Sequence, residues 1–304
     1  ANAESSAVRI AGGGSIQVPA GTKYSYYALA AYKGEISMNM GKDGTRPGNE
    51  KTGSNIADVK LDGDLFALST GKLKAALLTD KSYLHGLVDN GGEADLYLKN
   101  GAKWINESRN ERYYQDIEDV GAGIVTENAG KKVYTPKTRV THFHGGDAAA
   151  SHGIIYQKDA ANLDIDEYSG HTTVVYAHDA ATPTTMKGGD IIVNKAVGTE
   201  NVMTLFTDSN GVTMGNQDAV LNALAEKLTY KSYADNNLTG KLSINEGLIA
   251  SSAHKNITFK TSGKGSYATS GADTHKPITA ADATAGTYTL TADERRELTP
   301  ANLS

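Results

Sequence analysis

The chain has 304 residues, 39% of them hydrophobic and 21% charged, which is enough apolar material for a core in one large domain or two smaller ones. Its 35 Asp and Glu outnumber its 30 Lys and Arg, so the sequence excludes the basic surface of a nucleic-acid-binding protein. The absence of cysteine excludes disulfides, thiolate chemistry and cysteine-ligated zinc, and no run approaches the ~18 consecutive apolar residues of a transmembrane helix.

Short segments of alternating apolar residues recur along the chain, separated by Gly, Asn and Asp. In chain order these candidate strands lie within residues 8–18, 22–32, 34–40, 57–68, 93–105, 162–178, 188–213, 237–249 and 255–260. The segment 72–88 is apolar at spacings that fit either a helix or strands. A segment of about four to six alternating residues buries only one face and needs a similar neighbour on each side. The sequence therefore predicts an all-β stack of such segments.

Two turns are predicted within this stack. Asp62-Gly63-Asp64 indicates a turn or bulge, and Asn100-Gly101 is among the strongest short turn signals. The single tryptophan, Trp104, follows the second turn and is predicted to cover the apolar edge of a repeat unit.

Residues 106–152 interrupt the strand pattern. They are rich in charge and place three histidines within eleven residues, at 142, 144 and 152. The sequence predicts an insertion loop here, and in repeat proteins the face that carries insertions commonly binds partners.

One amphipathic helix is predicted over residues 216–234. Asn216 is a suitable N-cap, and apolar residues recur at helical spacing. These residues are Val220, Leu221, Leu224 and Leu228. The last segment, 266–304, is rich in Thr, Ala and Gly and is predicted to be partly a linker.

Several stretches together resemble a known family. They are ADLYLKNGAKWINES (94–108), SGHTTVVYAHDA (169–180), MKGGDIIVNKA (186–196), NVMTLFTDSNGV (201–212) and the run from DAVLNALAEKL to SGKGSY (218–267). Over about residues 57–267 the chain is similar to the passenger region of monomeric autotransporters of type V secretion. The resemblance is greatest to large surface adhesins of anaerobes of the Veillonella and Fusobacterium kind.

This resemblance implies a right-handed parallel β-helix, a pectin-lyase-like solenoid, as the passenger fragment over residues 1–265. It implies display at the cell surface of a Gram-negative bacterium, anchored to the outer membrane, after export through a C-terminal β-barrel translocator outside this fragment. The implied role is adhesion in coaggregation, biofilm formation or host attachment. The implied partners are protein or glycan receptors on bacterial or host cells, or further copies of the chain, with no nucleic acid.

Residues typical of metal sites and catalysis are present but favour structural interpretations. His142 and His144 share a strand face, and Asp147 and His152 are near in sequence, yet the pattern is more typical of a polar insertion, so no metal site is predicted. The neighbouring carboxylates are interpreted as solvated strand and turn residues rather than glycosidase pairs or calcium ligands. They are Asp62, Asp64, Asp164, Asp166 and Glu167.

Enzyme signatures are incomplete as well. Ser151-His152-Gly153 stands where a polysaccharide hydrolase pattern requires Gly-His-Gly, and the Gly-Asp-Ser-Gly of protease autotransporters does not occur. The glycine runs lack the context of a phosphate cradle. The sequence therefore predicts no catalytic residue, no enzymatic activity and no cofactor.

Tyrosines are the best generic candidates for binding, because the ring offers a rigid apolar face and a hydroxyl group. Packing between strands is an equally good interpretation of the same residues. The candidate binding residues are Tyr24, Tyr27, Tyr113, Tyr114, His142 and His144.

The leading hypothesis is a non-enzymatic adhesin fragment that attaches cells through the face of a β-solenoid. Two alternatives remain open at this stage: a polysaccharide-active β-helix enzyme acting on a uronic-acid polymer, and a stalk that only lifts another domain away from the membrane.

Overall fold

The computed structural model describes most of the chain up to residue 230 and shorter pieces beyond it. The described ranges are 6–18, 27–41, 44–47, 57–108, 113–114, 124–135, 137–198, 201–208, 210–213, 215–230, 238–244, 256–261, 266–269 and 275–277. Within these ranges the protein is mostly β-strand, with one α-helix and one short 3-10 turn (Ala149–Ser151). None of the helical segments in these ranges is long and apolar enough to cross a membrane.

The strands are short, as the sequence predicts. Those of the first half are β1 (Ala7–Ile10), β2 (Gly14–Gln17), β3 (Tyr27–Ala31), β4 (Glu35–Met38), β5 (Val59–Asp62), β6 (Asp64–Ala67), β7 (Lys72–Leu77), β8 (Tyr83–His85), β9 (Val88–Asn90), β10 (Glu93–Leu98), β11 (Lys103–Asn106), β12 (Tyr113–Tyr114), β13 (Ile124–Asn128), β14 (Lys131–Thr135) and β15 (Thr138–His144). Those of the second half are β16 (Gly153–Gln157), β17 (Leu163–Ser169), β18 (His171–Val175), β19 (Ala177–Asp179), β20 (Thr182–Lys187), β21 (Ile191–Ala196), β22 (Asn201–Thr207), β23 (Leu228–Tyr230), β24 (Leu238–Ile244), β25 (Asn256–Thr261), β26 (Ser266–Thr269) and β27 (His275–Pro277). The α-helix α1 is Gln217–Ala225.

Two large sheets contain most of these strands. The first sheet has the order β1-β4-β7-β10-β15-β17-β21-β23, and β3, β6 and β9 join it beside this path. The second sheet has the order β2-β5-β8-β11-β16-β18-β22-β24-β25-β26-β27. Pairing along the first order, and along the second as far as β24, is parallel, whereas β24 to β27 pair antiparallel.

The chain passes repeatedly from the second sheet to the first and back. We use the term repeat unit for a segment that begins with a strand of the second sheet and ends with the next strand in the order of the first sheet. Examples are β8–β10 and β16–β17. From β2 to β24, the strands of each unit that lie along the two sheet orders pair in parallel with those of the units before and after it. The short alternating segments that the sequence predicts to need neighbours on each side are thus strands of parallel sheets.

The core lies between the inward faces of the two sheets and consists of rows of residues in register. The row of the second sheet contains Leu61, Leu84, Trp104, Ile155, Val174 and Leu205. The row of the first sheet contains Met38, Ala75, Leu96, Phe143, Tyr168 and Ala196. Phe143 stacks on Tyr168 with ring centroids 5.6 Å apart and on Trp104 at 6.5 Å. Trp104 is therefore central in the core, and the prediction that it covers an edge is wrong.

The two predicted turns are present. Asn100 and Gly101 both have positive φ, 56° and 79°, and they join β10 to β11. These two strands enter different sheets, so this turn makes a corner and not a hairpin. Gly63 has a φ of 146° at the bend between β5 and β6. The ambiguous segment 72–88 consists of strands β7, β8 and β9.

The predicted insertion over residues 106–152 is too wide. An excursion from the stack holds the antiparallel sheet β12-β14-β13, but β15 (Thr138–His144) returns to the first sheet. Val140 and Phe143 on this strand are completely buried. The sequence conceals the strand because the partly exposed Thr141 and His142 are adjacent, which breaks the strict alternation of apolar and polar residues.

The predicted helix over 216–234 is also too long. Helix α1 ends at Ala225, and Leu228–Tyr230 forms β23, which pairs in parallel with Ile191–Val193. Val220, Leu221 and Leu224 form the buried stripe of the helix. Leu228 continues the helical period, but pairing with β21 determines its conformation, because tertiary contacts override helix propensity. Residues 231–234 lie outside the described ranges, as do 278–304 of the predicted linker.

Candidate functional site

A row of acidic and basic side chains runs across the outward face of the first sheet. We call it the charged row: one residue from each of five neighbouring strands, in register and pointing away from the core. Its members are Lys74, Asp95, His142, Glu167 and Lys195. Neighbouring strands lie about 4.8 Å apart, so each side chain is near the one before and after it. Lys74 itself pairs with Glu35 of the preceding strand at 3.4 Å. Along the row, each acidic residue has a basic residue on the strand at either side of it.

His142 is at the centre of the charged row. Its Nδ1 lies 2.5 Å from Asp95 Oδ1, and its Nε2 lies 3.8 Å from Glu167 Oε2. Lys195 Nζ contacts the other oxygen of Glu167 at 3.3 Å. Beside the row, Glu93 pairs with Lys72 at 3.0 Å. One potential ligand atom from each of Glu93, Asp95 and His142 lies within 4.8 Å of the others.

Burial dominates the electrostatics of Asp95. It raises the pKa of this carboxyl group, and the hydrogen bond and charge of His142 only partly oppose this effect. The charged form of Asp95 is therefore incompletely compensated by the protein around it, which makes additional positive charge favourable at this point.

A second outward row, the aromatic row, is Tyr97, His144 and Ser169. The rings of Tyr97 and His144 are stacked, with centroids 4.1 Å apart and an interplanar angle of 15°. His144 Nδ1 lies 3.1 Å from Ser169 Oγ. The pKa of His144 is lowered to about 4, mainly by burial and to a smaller extent by the charges of His142 and Lys99, against the opposing influence of Glu167. His144 is therefore neutral at pH 7.

The titration of His144 makes stability dependent on pH. Its folded-state pKa of about 4 lies below the ordinary 6.5, so between these values the unfolded chain binds a proton that the folded chain does not. We expect the free energy of unfolding to fall by about 1–2 kcal/mol from pH 6.5 to pH 4.5, after allowance for the partial exposure of the ring. Urea titrations at several pH values measure this change.

The matched variant for this prediction is His144→Gln, which keeps a polar side chain and removes the titration. Asp95 has a raised pKa and affects stability in the opposite sense, because protonation at low pH removes the cost of burying its negative charge. Only the difference between the wild-type and His144→Gln slopes therefore reports His144. Identical slopes in the two proteins would contradict the assignment.

The histidines and the carboxylate that the sequence places near one another are not brought together. His144 stacks on Tyr97, Asp147 pairs with Lys99, and His152 is directed at the carbonyl oxygen of Ala149, 2.6 Å from its Nδ1. Instead, His142 lies close to two acidic residues of β10, Glu93 and Asp95. Among the described residues, Glu93, Asp95 and His142 form the group close enough to share a metal ion.

The tyrosine candidates separate into different environments. Tyr27 is half-buried on β3 and stacks on Phe66 with centroids 4.6 Å apart, so it has the packing role that was the alternative interpretation. Tyr113 and Tyr114 form β12, which pairs with Val133 and Lys132 in the excursion sheet. Tyr24 lies outside the described residues. Among the candidates whose side chains the structure describes, Tyr27 packs on Phe66, whereas His142 and His144 lie on β15.

The acidic residues interpreted as solvated are engaged within the protein. Asp64 is completely buried and accepts a hydrogen bond from the Leu87 backbone N–H at 2.7 Å, so solvation is the wrong interpretation for it. Buried Asp164 pairs with Lys137. The others also have partners: Asp62 with His85, Asp166 with Arg139 and Asn194, and Glu167 with Lys195.

Comparison with protein-family models, curated proteins and solved structures gives no match. The charged row and the aromatic row are therefore interpreted from their own geometry and chemistry.

Proposed function

We propose that the chain is part of a right-handed parallel β-helix that acts as a non-enzymatic surface adhesin. The observation that carries the proposal is the outward face of the first sheet, where five neighbouring strands each add one residue to the charged row and three of them add one to the aromatic row. Such a face grows with the number of units and stays open, which suits contact with a macromolecular surface. A small-molecule site is instead usually concave and lined mainly by apolar groups.

The chemistry of this face supports recognition of a polar partner. The side chains of Lys72 and Lys195 are 51% and 52% exposed, and those of His142 and Glu167 are 36% and 38% exposed. Tyr97 and His144 add ring surface at its side. Complementary charges give specificity and fast association more than affinity, and many displayed copies multiply weak individual contacts. The proposed partners are protein or glycan receptors on bacterial or host cells, or a second copy of the chain.

The ion pairs favour the non-enzymatic hypothesis over the enzyme alternative. Acid–base hydrolysis of a glycoside needs two carboxyl groups available to substrate, one of them with a raised pKa. Asp166 and Glu167 instead pair with bases of neighbouring strands, and Asp164 pairs with Lys137. Asp95 has a raised pKa, but it contacts His142, and the neighbouring Glu93 pairs with Lys72.

The proposed location is the cell surface, with attachment to the outer membrane of a Gram-negative bacterium. The absence of cysteine is compatible with export of an uncrosslinked chain.

A bead assay tests this function. Beads coated with the purified chain are mixed with one another and with candidate bacterial or host cells, and beads coated with an unrelated β-stalk of equal length serve as the control. We expect the chain to capture cells or to cluster its own beads, and the control to do neither. Clustering indicates self-association, and capture alone indicates a different receptor. Equal behaviour of the chain and the control would overturn adhesion in favour of a passive stalk.

A further inference from the structure

We propose that Glu93, Asp95 and His142 bind a divalent transition-metal ion of the zinc class between strands β10 and β15. This inference does not depend on the proposed adhesion, since it rests on a local group of three side chains. Glu93 and Asp95 are two residues apart on one strand and so share its outward face. The parallel register places His142 directly opposite Asp95.

The donor set suits zinc. Two carboxylate oxygens and one imidazole nitrogen are common zinc ligands, and two carboxylates neutralise the charge of a divalent ion. Calcium prefers six to eight oxygen ligands, so a three-residue group containing a nitrogen suits it poorly. Three protein ligands leave a fourth tetrahedral position for water or for a group of a partner molecule.

The present geometry requires only a small adjustment to accept the ion. The three ligand atoms already lie within 4.8 Å of one another. Ligands of a tetrahedral ion with bonds near 2.1 Å are about 3.4 Å apart. The Nδ1 of His142 and the Oδ1 of Asp95 are 2.5 Å apart and must separate by about an ångström, which side-chain rotation allows. Burial of Asp95 favours the exchange, because its charge lacks full compensation in the protein alone.

Two neighbours determine how well the ion binds. Glu167 lies 3.8 Å from His142 Nε2, the nitrogen left over when Nδ1 binds the ion. This separation is beyond hydrogen-bond distance, and a small side-chain rotation would let the carboxylate accept a hydrogen bond from Nε2. A carboxylate bonded in this way orients the ring and raises its basicity, as in many carboxylate–histidine–zinc arrangements. Lys72 acts against binding, since its ammonium group already pairs with Glu93 at 3.0 Å. Removing the ammonium group of Lys72 should therefore strengthen Zn²⁺ binding. If Glu93 and Lys72 formed only a structural ion pair, the same change would leave Zn²⁺ binding unaltered.

Calorimetric titration of the whole chain with Zn²⁺ tests the site. We expect His142→Ala and Glu93→Gln each to lose one equivalent of binding, Glu167→Gln to weaken it by about tenfold, and Lys72→Met to tighten it. His152→Ala is the control, because this partly exposed histidine contacts the Ala149 carbonyl oxygen and lies outside the group. Circular dichroism verifies that each variant is folded.

Loss of one equivalent in both ligand variants, with unchanged binding in His152→Ala, supports the proposal. Three results overturn it: no Zn²⁺ binding by the wild-type chain, equal binding by wild type and the folded ligand variants, or an equal loss in His152→Ala. A failed bead assay combined with normal Zn²⁺ titration would reject adhesion and leave the metal site in place.

Discussion

Replacing Trp104 by alanine is expected to lower the free energy of unfolding by about 3–5 kcal/mol. The indole is completely buried between the sheets, where it is in register with Leu84 and Ile155. Its Nε1–H donates to the carbonyl oxygen of Gly86 at 2.9 Å, so truncation leaves a cavity and also an unpaired buried acceptor. Urea unfolding of the two proteins measures the difference.

Lys103→Ala is the matched control for this substitution. Lys103 is the preceding residue on the same strand, and its side chain is exposed on the outward face. Surface substitutions of this kind usually change stability by less than about 0.5 kcal/mol. A loss below about 1 kcal/mol in Trp104→Ala would show that the aromatic core between the sheets is not packed as described.

Replacing Gly71 by alanine is expected to cost about 3 kcal/mol or to prevent folding. Gly71 lies at the turn from β6 to β7, and a Cβ atom there would be 1.9 Å from the carbonyl oxygen of Ala31 in the preceding unit. That carbonyl accepts a hydrogen bond from the Leu68 N–H at 3.0 Å, so it cannot move without breaking contact between units. The turns of successive units are in direct backbone contact at this corner.

The control for this prediction is Gly215→Ala, where the nearest atom to a new Cβ is Thr213 Oγ1 at 3.8 Å. This distance is ordinary van der Waals contact, and we expect stability to change by less than about 0.5 kcal/mol. Thermal unfolding of both variants compares the two positions. Equal midpoints for Gly71→Ala and wild type would contradict the close approach of neighbouring units.

Local patterns in the sequence predict much of the fold. The strict alternation in Glu93–Leu98 is sufficient to predict a strand, because every second side chain is apolar. Asn100-Gly101 predicts its turn for a backbone reason, since both residues tolerate positive φ. The location of Trp104 is not predictable in this way. Its burial depends on Phe143 and Ile155, which are far along the chain and meet it only through the pairing of units.

The two wrong boundaries have a common cause. Leu228 fits the period of the helix before it, and Thr141-His142 breaks the alternation of the strand around it. In each case a partner strand from another unit determines the structure: β21 for Leu228, and β10 and β17 for His142. Patterns within a short window do not contain this information.

The candidate metal group shows the same limit. The sequence draws attention to His142 and His144 because they are close to each other along the chain. His142 has its acidic neighbours 47 and 49 positions earlier, at Asp95 and Glu93, because β11 and the excursion β12–β14 lie between the paired strands. The signal available in the sequence is the spacing of Glu93 and Asp95, two acids on one strand face, but the register that brings a histidine to them is a property of the fold.

Attachment through the outward face of the first sheet is the central claim, and a pair of double charge reversals tests it most directly. Lys72→Glu with Lys195→Glu changes this face, and Lys60→Glu with Lys103→Glu makes the same change in net charge on the outward face of the second sheet. In the bead assay, we expect the first variant to lose most of its capture or clustering and the second to keep it, with both folded by circular dichroism. Equal attachment by the two folded variants would contradict the claim.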